Sequence, residues 1–125
     1  MFEIKEDLSI NITRGDAAEL SFGANIGATS YEFKIGDVVR FRVFVKKDCE
    51  EVVLQKDVEI TTPTSEAKIS LTGQDTEIGK VISKPVEYWY DVKLNPETYP
   101  QTIIGYDDNG AKVFKLFPGG GVAND

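Results

Sequence analysis

Histidine is absent from the 125 residues, and cysteine and tryptophan occur once each, as Cys49 and Trp89. Without an imidazole, proton transfer near neutral pH would fall to carboxylates, lysine, tyrosine or the single thiol. A nucleophilic thiol needs a positioned base or cation. Cys49 stands in Lys47-Asp48-Cys49-Glu50 and reads as an ordinary thiol beside a turn. One cysteine closes no internal disulfide, so a disulfide-built secreted domain is not expected.

Long apolar runs are missing too, and no membrane-spanning segment is expected. The opening Met1-Phe2-Glu3-Ile4-Lys5-Glu6-Asp7 lacks the basic region and apolar core of a signal peptide. Positive charge is scarce: 14 basic residues stand against 21 acidic ones, for a net charge of −7. Lys46-Lys47 is the only adjacent basic pair. A surface of that sign repels phosphate backbones and anionic headgroups, so neither nucleic acid nor membrane is expected as a partner.

The acidic pairs Glu50-Glu51 and Asp107-Asp108 fall in turn-like stretches, where nothing nearby would raise a carboxyl pKa. No catalytic residue is therefore assigned. Asp107-Asp108-Asn109-Gly110 offers oxygen ligands, but no distal glutamate follows to complete a calcium loop. The glycine-rich end has no Gly-Lys-Ser/Thr continuation of a phosphate loop. No metal and no cofactor is expected. Arg14-Gly15-Asp16, an adhesion tripeptide by spelling, reads as a turn between two strands.

What the sequence does contain is period-two alternation, the mark of half-buried strands. Residues 8–13, 19–22, 31–35, 38–46, 51–56, 58–61, 67–71, 85–94, 102–106 and 112–117 carry it in varying strength, with turn residues between them. In the clearest run, Val39, Phe41, Val43 and Val45 point one way, and Arg40, Arg42 and Lys46 the other. Val38 and Phe44 interrupt that polar face, so part of the strand should be covered on both sides. Lys47-Asp48 should turn it into a hairpin with residues 51–56, and Asn109-Gly110 should turn a second hairpin. Residues 23–28 read as a flexible connection, and residues 72–79 as one helical turn capped by Thr72 or Asp75 and closed by Gly79.

With 41% hydrophobic residues, a core without covalent staples is feasible. The expected fold is all-β: an antiparallel, immunoglobulin-like β-sandwich of about eight short strands with one short helical turn. It should span residues 1–118, with a flexible tail over 119–125. Tyr88, Tyr90, Val92 and Leu94 should share one strand face, leaving Trp89, Asp91 and Lys93 on the other. Trp89 is thus a candidate contact for a partner or ligand, together with Arg40 and Arg42. It could bury in a partner subunit, stack on a sugar ring, or lie under a loop of its own domain.

Leu71-Thr72-Gly73-Gln74-Asp75-Thr76, Tyr88 to Leu94 and Gln101 to Asp107 resemble small phage and prophage tail or baseplate proteins of Gram-positive bacteria. The likeness is to the amino-terminal, baseplate-attaching domain of some of them. Thr13-Arg14-Gly15-Asp16 and Val38 to Val43 extend it over residues 8 to 117. The resemblance implies a non-enzymatic virion structural component, assembled in the bacterial cytoplasm into the tail. Its partners would be other tail or baseplate proteins or copies of itself, as a homo-oligomer. Such proteins usually continue into a stalk or fibre, whereas Gly119-Gly120-Gly121 follows here, so a stand-alone small structural protein or an adaptor is expected. The competing expectation is a carbohydrate-binding β-sandwich module using Trp89 and a nearby tyrosine.

Overall fold

Alternation in the sequence becomes strand because successive side chains of an extended chain point to opposite faces of a sheet. The computed structural model describes residues 2–4, 8–26, 29–47, 51–105 and 110–119. They form eleven strands: β1 (Phe2–Ile4), β2 (Ile10–Thr13), β3 (Ala18–Phe22), β4 (Ala24–Ile26), β5 (Thr29–Tyr31), β6 (Val38–Phe44), β7 (Val52–Glu59), β8 (Ala67–Leu71), β9 (Val86–Leu94), β10 (Gln101–Ile104) and β11 (Lys112–Phe117). In β8 every second residue is buried, Ala67, Ile69 and Leu71, while Lys68 and Ser70 face solvent. No helix occurs among the described residues.

The large sheet has the order β1-β2-β11-β9-β6-β7, with β10 also bonded to β9. Two further pairs, β3–β8 and β4–β5, are each antiparallel. The β6–β7 hairpin forms as the sequence suggests, with a bulge after Val43. Other expectations need correction. The sheet is mixed, because β2 runs parallel to β11. A parallel pair needs a long crossover, and here almost the whole chain supplies it. The strand count exceeds eight because three-residue strands add to it; β4, part of the stretch read as a flexible connection, folds back on β5.

The second hairpin is also corrected. One edge of β9 bonds β6 along residues 89–94. Its other edge takes β11 at residues 86–90 and β10 at residues 92–94. β10 and β11 therefore run in the same direction, end to end. The nine residues of β9 offer more backbone partners than a tight Asn-Gly turn would. Asp107, Asp108 and Asn109 lie outside the described residues, as do Cys49 and, beyond Gly119, the glycine-rich tail.

The segment after β8 is a tight turn over 73–76, shorter than the helical turn expected. Thr72 N–H donates to Asp75 Oδ2 at 2.9 Å, and Asp75 N–H donates back to Thr72 Oγ1 at 3.1 Å. That reciprocal pair satisfies the turn locally, and the single backbone bond that follows, Glu77 N–H to the Gln74 carbonyl at 3.1 Å, is an isolated i to i+3 bond that does not extend into helix.

The β3–β8 pair covers one face of the large sheet. Phe22 on β3 stacks on Phe41 of β6, with ring centroids 6.1 Å apart, and tilts against Tyr90 of β9 at 6.4 Å. Phe41 also meets Tyr90 at 5.6 Å and Phe114 of β11 at 6.2 Å. Around this aromatic centre lie Ile10, Ile12, Leu20, Val39, Val43, Ile69, Leu71, Val92 and Leu116, all buried. Each such side chain contributes about 1.5–3 kcal/mol relative to exposure. The buried Tyr90 hydroxyl donates to the Leu8 carbonyl, so its polar end costs little.

Polar links tie the large sheet and the turns next to β3 and β8 together. Lys56 of β7 is the cross-strand partner of Phe41, so it shares the core-facing side, and it pairs with Asp75 at 3.1 Å. Burial has a smaller, opposing effect on Asp75, whose carboxyl is held below its ordinary pKa first by the Thr72 backbone N–H and then by Lys56. At the same end, buried Thr76 accepts from Gly15 N–H at 2.9 Å, and its hydroxyl lies 2.8 Å from Asp16 O and 3.0 Å from Gly73 O. Arg14-Gly15-Asp16 is thus a turn, with Gly15 at φ 91°, bound to the turn after β8.

Candidate functional site: an outer sheet face and an uncharged cleft

The face of the large sheet turned away from β3–β8 can be read off the register in rows. Arg40 stands opposite Asp57 on one side and Lys93 on the other, and Lys93 stands opposite Thr102. In the next row, Arg42 lies between Gln55 and Asp91. Phe44, Trp89 and Val113 then form an apolar row across β6, β9 and β11. Beyond it come Glu87, Lys115 and Asn11.

Each arginine is held in a fork. Arg40 donates to both oxygens of Asp57, at 2.9 and 3.0 Å, and to Glu97 Oε1 at 2.9 Å. The hydrogen bonds it gives to Asp57, then to Glu97, raise the guanidinium pKa further above its ordinary value. Arg42 donates to Asp91 at 3.1 and 2.6 Å, and its guanidinium carbon sits 4.9 Å above the Phe44 ring. The fork geometry orients both planar groups. Lys93 turns from Arg40 to Thr102 Oγ1, 3.3 Å away.

Trp89 is half-buried on this face, as are Val113 and Phe117, and Lys115 lies 5.6 Å from the Phe117 ring. Phe44 is fully buried although it points away from the main core. The three residues singled out from the sequence thus occupy neighbouring strands on one face. What the sequence reading missed are their partners: Asp57, Asp91 and Glu97. The one available signal was Phe44 interrupting a polar face.

A second feature sits where β9 turns into β10. A cleft of about 400 Å³ opens between the β4–β5 hairpin and the 95–103 segment, lined among others by Asn25, Tyr31, Tyr99, Gln101 and Thr102. Its floor is anchored by Asp37, which accepts from the Tyr31 hydroxyl at 2.7 Å, Lys34 N–H at 2.9 Å and Asn95 Nδ2 at 3.1 Å. Asn95, at φ 49°, also accepts from Val38 N–H at 2.8 Å. Burial, the largest single influence, pushes the Asp37 carboxyl up. The hydrogen bonds from Lys34, Tyr31 and Asn95, with the Lys34 charge, together outweigh it and hold the pKa below its ordinary value. The bond to Asp37, then burial and the Asp37 charge, raise that of Tyr31.

Among the described residues, no group of three or more Cys, Asp or Glu side chains is placed to hold a metal ion. No helix there is long and apolar enough to cross a membrane. The chain matches no family model, no curated protein and no solved structure.

Proposed function

We propose that this domain is a non-enzymatic assembly module of a phage or prophage tail or baseplate, docking on another tail protein or a second copy through the outer face of its large sheet. One observation carries the reading. Trp89 and Val113, half-buried beside the fully buried Phe44, leave apolar surface on a face that would be polar if it met only water. Half-buried tryptophan beside forked arginines has the composition of an interface centre. The resemblance of residues 8 to 117 to baseplate-attaching domains supplies the class of partner.

The finer fold class belongs to the same proposal. In an immunoglobulin-like sandwich of the variable type, β3 and β8 take the places of strands B and E. The strands β6, β7, β9 and β11 take those of C, C′, F and G.

Trp89 is the only tryptophan, so its fluorescence reports on this face alone. Docking should shift its emission to the blue and raise the mass seen by light scattering, either for the protein alone or with a neighbouring tail protein. Trp89→Ala should abolish the complex while leaving the fold intact by circular dichroism. A monomer with unchanged emission in both settings refutes the proposal.

A further inference from the structure

We infer that the cleft between the β4–β5 hairpin and residues 95–103 is a binding site for a neutral carbohydrate. Tyr99 would be its stacking platform, and Asn25 and Gln101 its hydrogen-bonding arms. The inference goes beyond the proposed docking role: the cleft adjoins the outer face at Thr102 but lies away from its apolar row and differs from it in chemistry. Trp89 and Lys93, the β9 residue that reaches Thr102, are four positions apart along the strand, about 13 Å.

Tyr99 is 73% exposed, the most exposed of the large hydrophobic side chains described. A bare aromatic ring at the mouth of a concavity is the usual partner for the C–H face of a sugar. None of the nine lining residues is charged, although 28% of the chain is. An uncharged lining that mixes aromatic rings with amides and a hydroxyl suits hydroxyl groups, and the cation beside it, Lys93, is engaged with Thr102 Oγ1 at 3.3 Å. The net charge of −7 disfavours anions further.

The walls are built in advance. Both polar ends of Asn95 are used, on Val38 and Asp37, and the Tyr31 hydroxyl is used on Asp37. These residues hold the frame and are not offered to a ligand. The side chains of Asn25, Gln101 and Tyr99 engage no protein partner among the described residues, and all three are exposed. A rigid frame with free amides at its rim reduces the ordering cost of binding. A cavity of about 400 Å³ holds one or two sugar rings at most.

The test is a two-dimensional amide NMR titration of the whole chain with maltose, cellobiose, lactose and N,N′-diacetylchitobiose. A neutral-glycan array widens the panel, and glucuronic acid and an uncharged tetrapeptide serve as controls. Saturable shifts should gather at residues 24–25, 31 and 94–103 and spare the Trp89 indole. Tyr99→Ala should weaken binding about fivefold or more, as loss of an aromatic face implies, while Tyr99→Trp retains it. Gln101→Ala should weaken it less, and each variant spectrum would report its own fold. The inference is overturned if no neutral glycan on the array binds. It also falls if shifts centre on Trp89, if Tyr99→Ala binds as well as the parent, or if only the acid or the peptide binds. Apart from shifts centred on Trp89, none of those outcomes bears on docking by the outer face, which the Trp89 emission reads separately.

Discussion

Arg42→Ala would strand the Asp91 carboxylate, whose side chain is 8% exposed beside an arginine that is 26% exposed. Breaking a buried pair by removing one partner costs about 3–5 kcal/mol, because the remaining charge keeps its desolvation penalty. Water reaching the vacated arginine site places the expected loss at the low end, near 3 kcal/mol. Losing the stacking on Phe44 adds about 0.5–1 kcal/mol. Arg40→Ala removes as many ion-pair hydrogen bonds or more, yet its partners Asp57 and Glu97 are 39% and 76% exposed. Both can rehydrate, so the cost should be about 0–1 kcal/mol. At roughly 4 °C per kcal/mol for a chain of this size, the two variants should melt some 10–16 °C apart. Urea unfolding read by circular dichroism gives the free energies, and the Arg42→Ala, Asp91→Ala double-mutant cycle isolates the pair. Should Arg40→Ala cost as much as Arg42→Ala, burial is not what sets the strength of these forks and the reasoning fails.

Gly73→Ala should lower the melting temperature, because a Cβ there would lie 2.6 Å from the Gly15 carbonyl oxygen. That overpacking costs about 1–3 kcal/mol, more than the chain-entropy gain of under about 1 kcal/mol. Thr76→Val keeps the shape but leaves Gly15 N–H without its acceptor, and calorimetry should show a loss of about 1–3 kcal/mol. Asp75→Asn should flatten the acid limb of stability. The folded carboxyl titrates below its ordinary value of 3.8, so its contribution is full above that pH and fades as pH falls through the folded value. Urea midpoints from pH 7 downwards should converge for parent and variant at the acid end; parallel curves would show that the Asp75 carboxylate, held by Thr72 N–H and Lys56, does not set the acid limb. Tyr31, raised above 10.0, should be among the last tyrosines to ionise in an ultraviolet titration. The stability it confers is present below pH 10 and declines above it.

Local pattern carried part of this structure, and long-range pairing carried the rest. The alternation in Val39, Phe41 and Val43, and in Tyr88, Tyr90 and Val92, was strong enough to place those strands and to put Trp89 on the outer face. The β4–β5 hairpin was invisible because Ala24-Asn25-Ile26 is too short to alternate and follows Gly23. The Asn-Gly signal misled for the opposite reason: it is a local preference, and the free edge of β9 outweighed it. The forks on Arg40 and Arg42 join residues 17, 57 and 49 positions apart, separations at which no sequence spacing marks a pair. The cleft was hidden likewise, since its two walls come from stretches that read only as a connection and a break.

Ile104 and Lys112 pair with positions 92 and 90 of β9, two residues apart, although seven residues lie between them in the chain. The sheet is therefore continuous across a point where the polypeptide is not, and each half of the composite strand is anchored by itself. Lengthening the sequence between Ile104 and Lys112 should cost little, about 0.6 kcal/mol for each doubling. It is the place where new sequence, a tag or a whole inserted unit, can enter this domain without shifting the register of any strand.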